Sequence, residues 1–189
     1  MKNHIRKQTY VAAGLAIYLV VVGGCREAQQ KKQVADIVKT GAFSRLTIDL
    51  GTVVSDVEKS AKFYTEALGF TEVPGFDVSP EMAGDSGLTD YKPFKVRVFV
   101  LGEGDTATRI KLMEIAPTGA KVDNTYINSS LGFSYLTIFV TDTTASVERA
   151  VAAGAKIVKP PLVLGDGVTY LTVIKDPDGN NVEFVGPKK

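Results

Sequence analysis

Two stretches decide the fold of this chain: Val53-Val54-Ser55-Asp56 and Phe139-Val140-Thr141-Asp142. In each, an apolar strand ends in polar residues that are typical of a helix start. Each copy then closes on a strand that carries one carboxylate between apolar residues, Met113-Glu114-Ile115 in the first and Val182-Glu183-Phe184 in the second. An internal repeat of this size predicts two equivalent modules with a cleft between them.

The strands that lead into the two stretches alternate between an apolar face and a more polar face. In the first strand Leu46, Ile48, Leu50, Thr52 and Val54 lie on one face, opposite Arg45, Thr47, Asp49, Gly51 and Val53. In the second strand Leu136, Ile138 and Val140 lie opposite Tyr135, Thr137 and Phe139. Ser55 is predicted to start the first helix, with Glu58 completing a capping box, and Asp56 and Asp142 are also predicted to be helix caps. Each module is predicted to have the order β-α-β-β-β, and the fold class is α+β.

The first module is longer than the second, mainly because of the segment 76–93, which is rich in Gly, Pro, Asp and Ser. We expect this segment to be irregular. A long loop on only one of two modules favours a role as the rim or lid of a site.

The residues 53–60, with Phe63-Tyr64 and Leu68-Gly69-Phe70, resemble the opening of a vicinal oxygen chelate module. That superfamily includes glyoxalase I, bleomycin resistance proteins and extradiol dioxygenases. The stretch 176–180, followed by Val182-Glu183-Phe184, is similar to the last hairpin of such a module. The resemblance covers residues 43–187, with module one at 43–117 and module two at 131–187. It implies that the two tandem βαβββ modules form a cup-shaped mixed sheet.

The resemblance also implies a divalent metal site inside the cup, with ligands from the first and last strands of both modules. The corresponding positions in this chain are Asp49, Glu114, Tyr135 and Glu183, and we expect all four on the face opposite the helices. The metalloenzymes usually carry histidine or glutamine at the first-strand positions, where this chain has Asp49 and Tyr135. Dioxygenase chemistry is therefore not expected.

Three interpretations remain open. In the first, the cup binds or sequesters a cationic or polyhydroxy small molecule through Asp49, Glu114, Tyr135 and Glu183, with no cofactor. In the second, Asp49, Glu114 and Glu183 hold a hard cation such as Mg²⁺, Mn²⁺ or Ca²⁺, and Glu114 or Glu183 acts as the base of a glyoxalase-type lyase or isomerase. In the third, the domain is structural or binds a partner protein. The favoured interpretation is the first, and related domains often form homodimers.

The N-terminal residues predict export and lipid anchoring. Lys2, Arg6 and Lys7 precede an apolar run that ends in Gly23-Gly24-Cys25, which resembles a bacterial lipoprotein signal. Residues 1–24 are the predicted signal peptide, residues 25–42 a tether, and acylated Cys25 the membrane anchor in the cell envelope, on the periplasmic or extracellular face. A plain signal peptide or a short N-terminal anchor is the alternative.

The charge of the processed chain argues against nucleic-acid binding. Loss of residues 1–24 leaves 19 basic and 21 acidic residues, a formal charge of −2, and removes His4, the only histidine. A chain of this charge has no basic field for a phosphate backbone. Histidine is likewise excluded as an acid, a base or a metal ligand of the processed chain.

Overall fold

The structure, a computed structural model, describes residues 29, 45, 47–104, 106–117 and 119–189. The chain divides into two compact units, Met1–Leu46 and Thr47–Lys189. In the first unit the described residues are Gln29, which is helical and exposed, and Arg45. The predicted signal peptide and Cys25 lie outside the described residues. Within the described part, no helix is long and apolar enough to cross a membrane.

The first module is a four-stranded sheet with its helical segments inserted after the first and second strands. Its elements are β1 (Asp49–Val53), α1 (Val57–Lys62) with a π-helical continuation (Phe63–Ala67), β2 (Thr71–Val78), α2 (Pro80–Asp85), β3 (Phe94–Leu101) and β4 (Thr108–Met113). The strand order is β1-β4-β3-β2, with β1 parallel to β4. The first strand is shorter than predicted, since β1 begins at Asp49 and Ile48 before it is 74% exposed.

The second module repeats this arrangement. Its elements are β5 (Tyr135–Phe139), α3 (Thr143–Ala152), β6 (Lys156–Ile157), β7 (Leu162–Val163), β8 (Thr169–Lys175) and β9 (Asn181–Pro187). The strand order is β5-β9-β8-β6, β7 also pairs with β8, and β5 is parallel to β9. The predicted α+β class with two tandem βαβββ modules is confirmed.

One hydrophobic core connects the helices to both sheets. Its fully buried members come from the two modules: Tyr64, Ala67, Phe99, Ile110, Leu112, Ala150, Ile174, Val182 and Phe184. We call the sheet faces that contact this core the helix faces, and the opposite faces the cup faces. Strand alternation places every second residue on each face.

The predicted caps Asp56 and Asp142 are confirmed, whereas the predicted Ser55–Glu58 capping box is wrong, because the Ser55 hydroxyl donates to Asp178 Oδ1. The side chain of Asp56 accepts from Lys59 N at 2.9 Å, and that of Asp142 accepts from Thr144 N at 2.9 Å. A carboxylate at this position satisfies backbone N–H groups that have no partner within the helix and also interacts favourably with the helix dipole. The caps fix where α1 and α3 begin, directly after the strands of the repeated pattern.

The segment 76–93 was expected to be irregular, but part of it is regular. Strand β2 continues to Val78, and Ser79 caps the short helix α2 by accepting from Met82 N at 3.2 Å. Ala83 of this helix is fully buried and belongs to a second apolar cluster with Val78, Phe94, Val96 and Val98. Because Val96 and Val98 pair with Met113 and Lys111, this cluster lies on the cup face of sheet one. The insertion therefore covers part of that face.

Candidate functional site

The cup face of sheet two presents one carboxylate beside a hydroxyl. Thr137 of β5 lies opposite Glu183 of β9 in the parallel pair, and Thr137 Oγ1 donates to Glu183 Oε2 at 2.8 Å. Val182 and Phe184, the neighbours of Glu183, are fully buried on the helix face. Alternation therefore directs Glu183 to the cup face.

Apolar surface flanks this carboxylate. Tyr135 and Phe139 stand two residues before and after Thr137 on the same face, and they are 51% and 80% exposed. Val53 of β1 is also half exposed. Exposed aromatic rings beside a polar group are typical of surfaces that bind a ligand or a partner.

The cup face of sheet one carries an ion pair instead. Lys111 of β4 approaches Asp49 of β1, with 3.0 Å between Lys111 Nζ and Asp49 Oδ2. Lys111 Nζ also lies 5.9 Å from the centre of the Phe76 ring. The Asp49 side chain is only 15% exposed, so the pair is partly shielded from solvent.

The strand register shows which positions of the two modules are equivalent. Asp49 pairs with Arg109 and, two residues on, Gly51 pairs with Lys111. Tyr135 pairs with Asn181 and, two residues on, Thr137 pairs with Glu183. Asp49 therefore corresponds to Tyr135, and Lys111 corresponds to Glu183. The predicted equivalence of Glu114 and Glu183 is wrong.

Glu114 faces the other side of its sheet. It follows β4 by one residue and shares the helix face with Leu112, because two residues separate them. Its Oε2 accepts from Val57 N, the first residue of α1, at 3.0 Å. Glu114 thus stabilises the start of a helix and does not line the cup face, contrary to the expected placement. The alternation of Ile110 and Leu112 was the sequence signal that should have assigned Lys111 to the cup face.

Two of the predicted site residues, Tyr135 and Glu114, line different cavities. A cavity of about 270 Å³ lies between β1 and β5, lined by residues that include Gly51, Val53, Ser134, Tyr135 and Asn181. Glu114 instead lines a second cavity of about 480 Å³. Of the four predicted site residues, the structure therefore places Asp49, Tyr135 and Glu183 on cup faces and Glu114 elsewhere.

The model of the Glyoxalase/Bleomycin resistance protein/Dioxygenase superfamily matches residues 49–184 of the chain. The chain belongs to this superfamily.

Relatives and solved structures agree with this assignment. A protein of Vibrio parahaemolyticus named as a probable lactoylglutathione lyase is 25% identical over 142 residues, which cover 72% of this chain and 86% of that protein. A glyoxalase family protein from Bacillus cereus is 23% identical with a TM-score of 0.65, covering 78% of this chain and 96% of that one. Glyoxalase I from Zea mays is 19% identical with a TM-score of 0.57, covering 75% and 44%. These structures share the fold with this chain.

The side chains do not fit the metal centre that the superfamily resemblance implies. The register-equivalent positions of the first and last strands hold Asp49, Lys111, Tyr135 and Glu183. A lysine ammonium has no lone pair for a metal ion and its charge repels a cation, and here it also engages the Asp49 carboxylate. In the described part of the chain, no three His, Cys, Asp or Glu side chains are grouped so that they could hold a metal ion.

One buried polar residue, Asp176, was predicted only as part of a turn. Asp176 opens the β8–β9 turn and is 5% exposed. Its Oδ2 accepts from Tyr64 Oη at 3.3 Å, and its Oδ1 accepts from Asn180 N at 2.7 Å. Burial raises the pKa of the Asp176 carboxyl. The pKa of the Tyr64 hydroxyl is raised well above its ordinary value, because the hydroxyl is buried and lies beside this carboxyl. Sequence alone gave no signal for this contact, because 112 positions separate the two side chains.

Proposed function

We propose that this superfamily member binds a small organic molecule on the cup face of sheet two and does so without a metal ion. The observation that carries the proposal is the Lys111–Asp49 ion pair, because it puts a cation where the repeat would otherwise supply a second acidic ligand. An ion bound at Asp49 would have to displace this pair and face the lysine charge.

The chemistry of the surface defines the ligand. Among the residues that the structure describes, Glu183 has no ion-pair partner, and its contact is the Thr137 hydroxyl. A carboxylate of this kind attracts an ammonium group or accepts from hydroxyl groups. Tyr135 and Phe139 offer exposed rings for an apolar or aromatic part. The ligand is therefore a small amphipathic molecule with a cationic or hydroxyl-bearing end.

A thermal-shift screen of small cationic and polyhydroxy compounds, followed by calorimetry on the full chain, tests this function. We expect Glu183→Gln and Tyr135→Ala each to weaken binding about ten-fold, since each removes a charged or ring contact. Glu103→Gln, in the exposed β3–β4 loop, is the matched control and leaves affinity unchanged. Equal affinity in all three variants would contradict the proposal.

A second candidate is a hard-metal-dependent lyase or isomerase of the glyoxalase type. Its support is the similarity to the Vibrio parahaemolyticus protein named as a probable lactoylglutathione lyase. Metal analysis and titration with Mg²⁺, Mn²⁺, Ni²⁺ and Zn²⁺, together with an assay for lactoylglutathione lyase activity, separate the two candidates. A stoichiometric ion that is lost in Glu183→Gln, with metal-dependent activity, favours the second candidate and overturns the first.

We also propose that acylated Cys25 anchors the domain in the bacterial cell envelope, on the periplasmic or extracellular face. The support is the sequence that precedes Cys25. Mass spectrometry and fractionation of Cys25→Ser test it: the variant should lose the lipid mass and leave the membrane fraction. Retention in the membrane at an unchanged mass would refute the anchor.

A further inference from the structure

A cavity of about 490 Å³ beside the β8–β9 turn has five lysines among its eleven lining residues. We call it the lysine pocket, and its five lysines are Lys59, Lys62, Lys121, Lys156 and Lys175. They come from α1, the connection between the modules, β6 and β8, so the fold brings together residues that are distant in sequence. None of its lining residues lines the cavity between β1 and β5.

The lysine pocket has little negative charge of its own. Among its described lining residues Asp176 is the only carboxylate. Both Asp176 oxygens already accept hydrogen bonds, Oδ1 from Asp178 N and Asn180 N and Oδ2 from Asn180 Nδ2 and Tyr64 Oη. It is also 5% exposed, so it offers the lysines almost no accessible surface.

Most of the lysines lack a strong partner. Within the described residues Lys59, Lys121 and Lys156 form no ion pair, and Lys62 has only Glu66 at 3.9 Å, with both side chains more than half exposed. An ion pair this exposed to solvent contributes little free energy. Lys175 differs, because its Nζ already donates to Asn124 O and Asn181 Oδ1.

We propose that the lysine pocket binds the phosphate group of a small molecule or of a lipid head group. Lysines in the lining of a cavity suit a compact anion with two or more negative charges, because each ammonium group can act as a point-charge donor. The pocket volume lies in the range of ligand sites and exceeds the size of a phosphate group. Phe63 and Pro177 also line it and can contact the organic part of the ligand.

Calorimetry of the full chain with pyrophosphate as the probe tests this site. Lys59→Gln combined with Lys121→Gln removes two pocket charges that form no ion pair with any described residue. We expect the dissociation constant to rise at least about ten-fold per lysine removed. Lys92→Gln combined with Lys189→Gln is the matched control: it changes the net charge equally outside the pocket and should alter the constant less than about two-fold. Unfolding transitions measured without the probe confirm that both variants are folded.

Vesicles distinguish the two sources of the phosphate. All vesicle measurements use chains that also carry Cys25→Ser, which removes the proposed lipid anchor. Binding to phosphatidylglycerol vesicles, relative to phosphatidylcholine vesicles, that is weakened in the pocket variant but not in the control assigns a lipid head group. Pyrophosphate binding with no such difference on vesicles assigns a soluble phosphorylated molecule. The proposal is overturned if the wild-type chain binds neither pyrophosphate nor the anionic vesicles, or if the pocket variant and the control lose affinity equally. Glu183→Gln tests the cup face of sheet two separately.

Discussion

Asp176 connects the last hairpin of the chain to the first helical segment. Its two oxygens hold the backbone of the turn at Asp178 and Asn180 and meet the hydroxyl of Tyr64, which is 1% exposed. A buried carboxylate that accepts several hydrogen bonds determines the local geometry, but its charge is desolvated. The folded protein thus favours the protonated form more than the unfolded chain does.

The stability contribution of Asp176 is therefore expected to depend on pH. Its folded pKa is raised, so the contribution is fully present below the unfolded pKa and is lost as pH rises through the folded value. The variant Asp176→Asn has no carboxyl group to titrate at this position. We expect the stability difference between wild type and Asp176→Asn to shift in favour of the variant from about pH 4 to about pH 7. Denaturant unfolding of both proteins across this range measures it, and a pH-independent difference would contradict the raised pKa.

For the individual residues of the candidate site, the sequence predicted only part of the arrangement. Asp49, Tyr135 and Glu183 were assigned to the face opposite the helices, and strand alternation places them there. Glu114 was misassigned because Met113-Glu114-Ile115 looks like Val182-Glu183-Phe184, whereas the pairing with β1 depends on where the parallel strands align. Lys111 was overlooked because a lysine between two apolar strand residues is usually an ordinary solvent-exposed residue. Its pairing with Asp49 is visible only in the structure.

Among the elements, β9 is held tightly against the segment that follows β5. Val140 N donates to Val185 O at 2.9 Å, and Thr143 Oγ1 donates to Gly186 O at 2.9 Å. A Cβ on Gly186 would lie 2.0 Å from the carbonyl oxygen of Val140. Glycine is thus required at this position by the close approach of two backbones.

Gly186→Ala should destabilise the protein by about 2–3 kcal/mol, because a rigid backbone atom must move to admit the methyl group. Gly165→Ala is the control: a Cβ there meets nothing within 4 Å, and we expect a change within about 0.5 kcal/mol. Chemical denaturation of both variants measures the difference. Similar stability of the two variants would show that β9 can shift without cost.

Sequence patterns predicted most elements, since alternation and capping residues are local signals. They did not predict α2, where Ser79 and Pro80 begin a helix of only six residues. Its formation depends on burial of Ala83 against Val96 and Val98 of the sheet, a contact distant in sequence. Propensity within a segment this short is too weak to decide its structure.

At the scale of the whole unit Thr47–Lys189, the two modules share one core and do not have separate ones. Phe99 of the first sheet and Phe184 of the second are both fully buried in the same cluster, with Tyr64 and Ala150 of the helical segments. Arg149 of α3 also donates from Nε to Ala67 O at 3.1 Å, which joins the helical segments of the two modules directly. Separation of the modules would expose this core.

This arrangement predicts a single cooperative unfolding transition for the unit. Phe99→Ala and Phe184→Ala, one in each module, should each lower stability by about 3–5 kcal/mol and preserve the single transition. Phe139→Ala, at a ring that is 80% exposed, is the control and should have little effect. Calorimetry measures the transitions. Two separate transitions in either core variant would mean that the modules unfold independently.

The Lys111–Asp49 pair has a genetic consequence. Both lysine codons differ from the two glutamate codons only in their first nucleotide, so one point mutation produces Lys111→Glu. That change would remove the cation and put a carboxylate at the position equivalent to Glu183, with Asp49 opposite. Sheet one is therefore a single nucleotide change from carrying two carboxylates on its cup face in place of an ion pair.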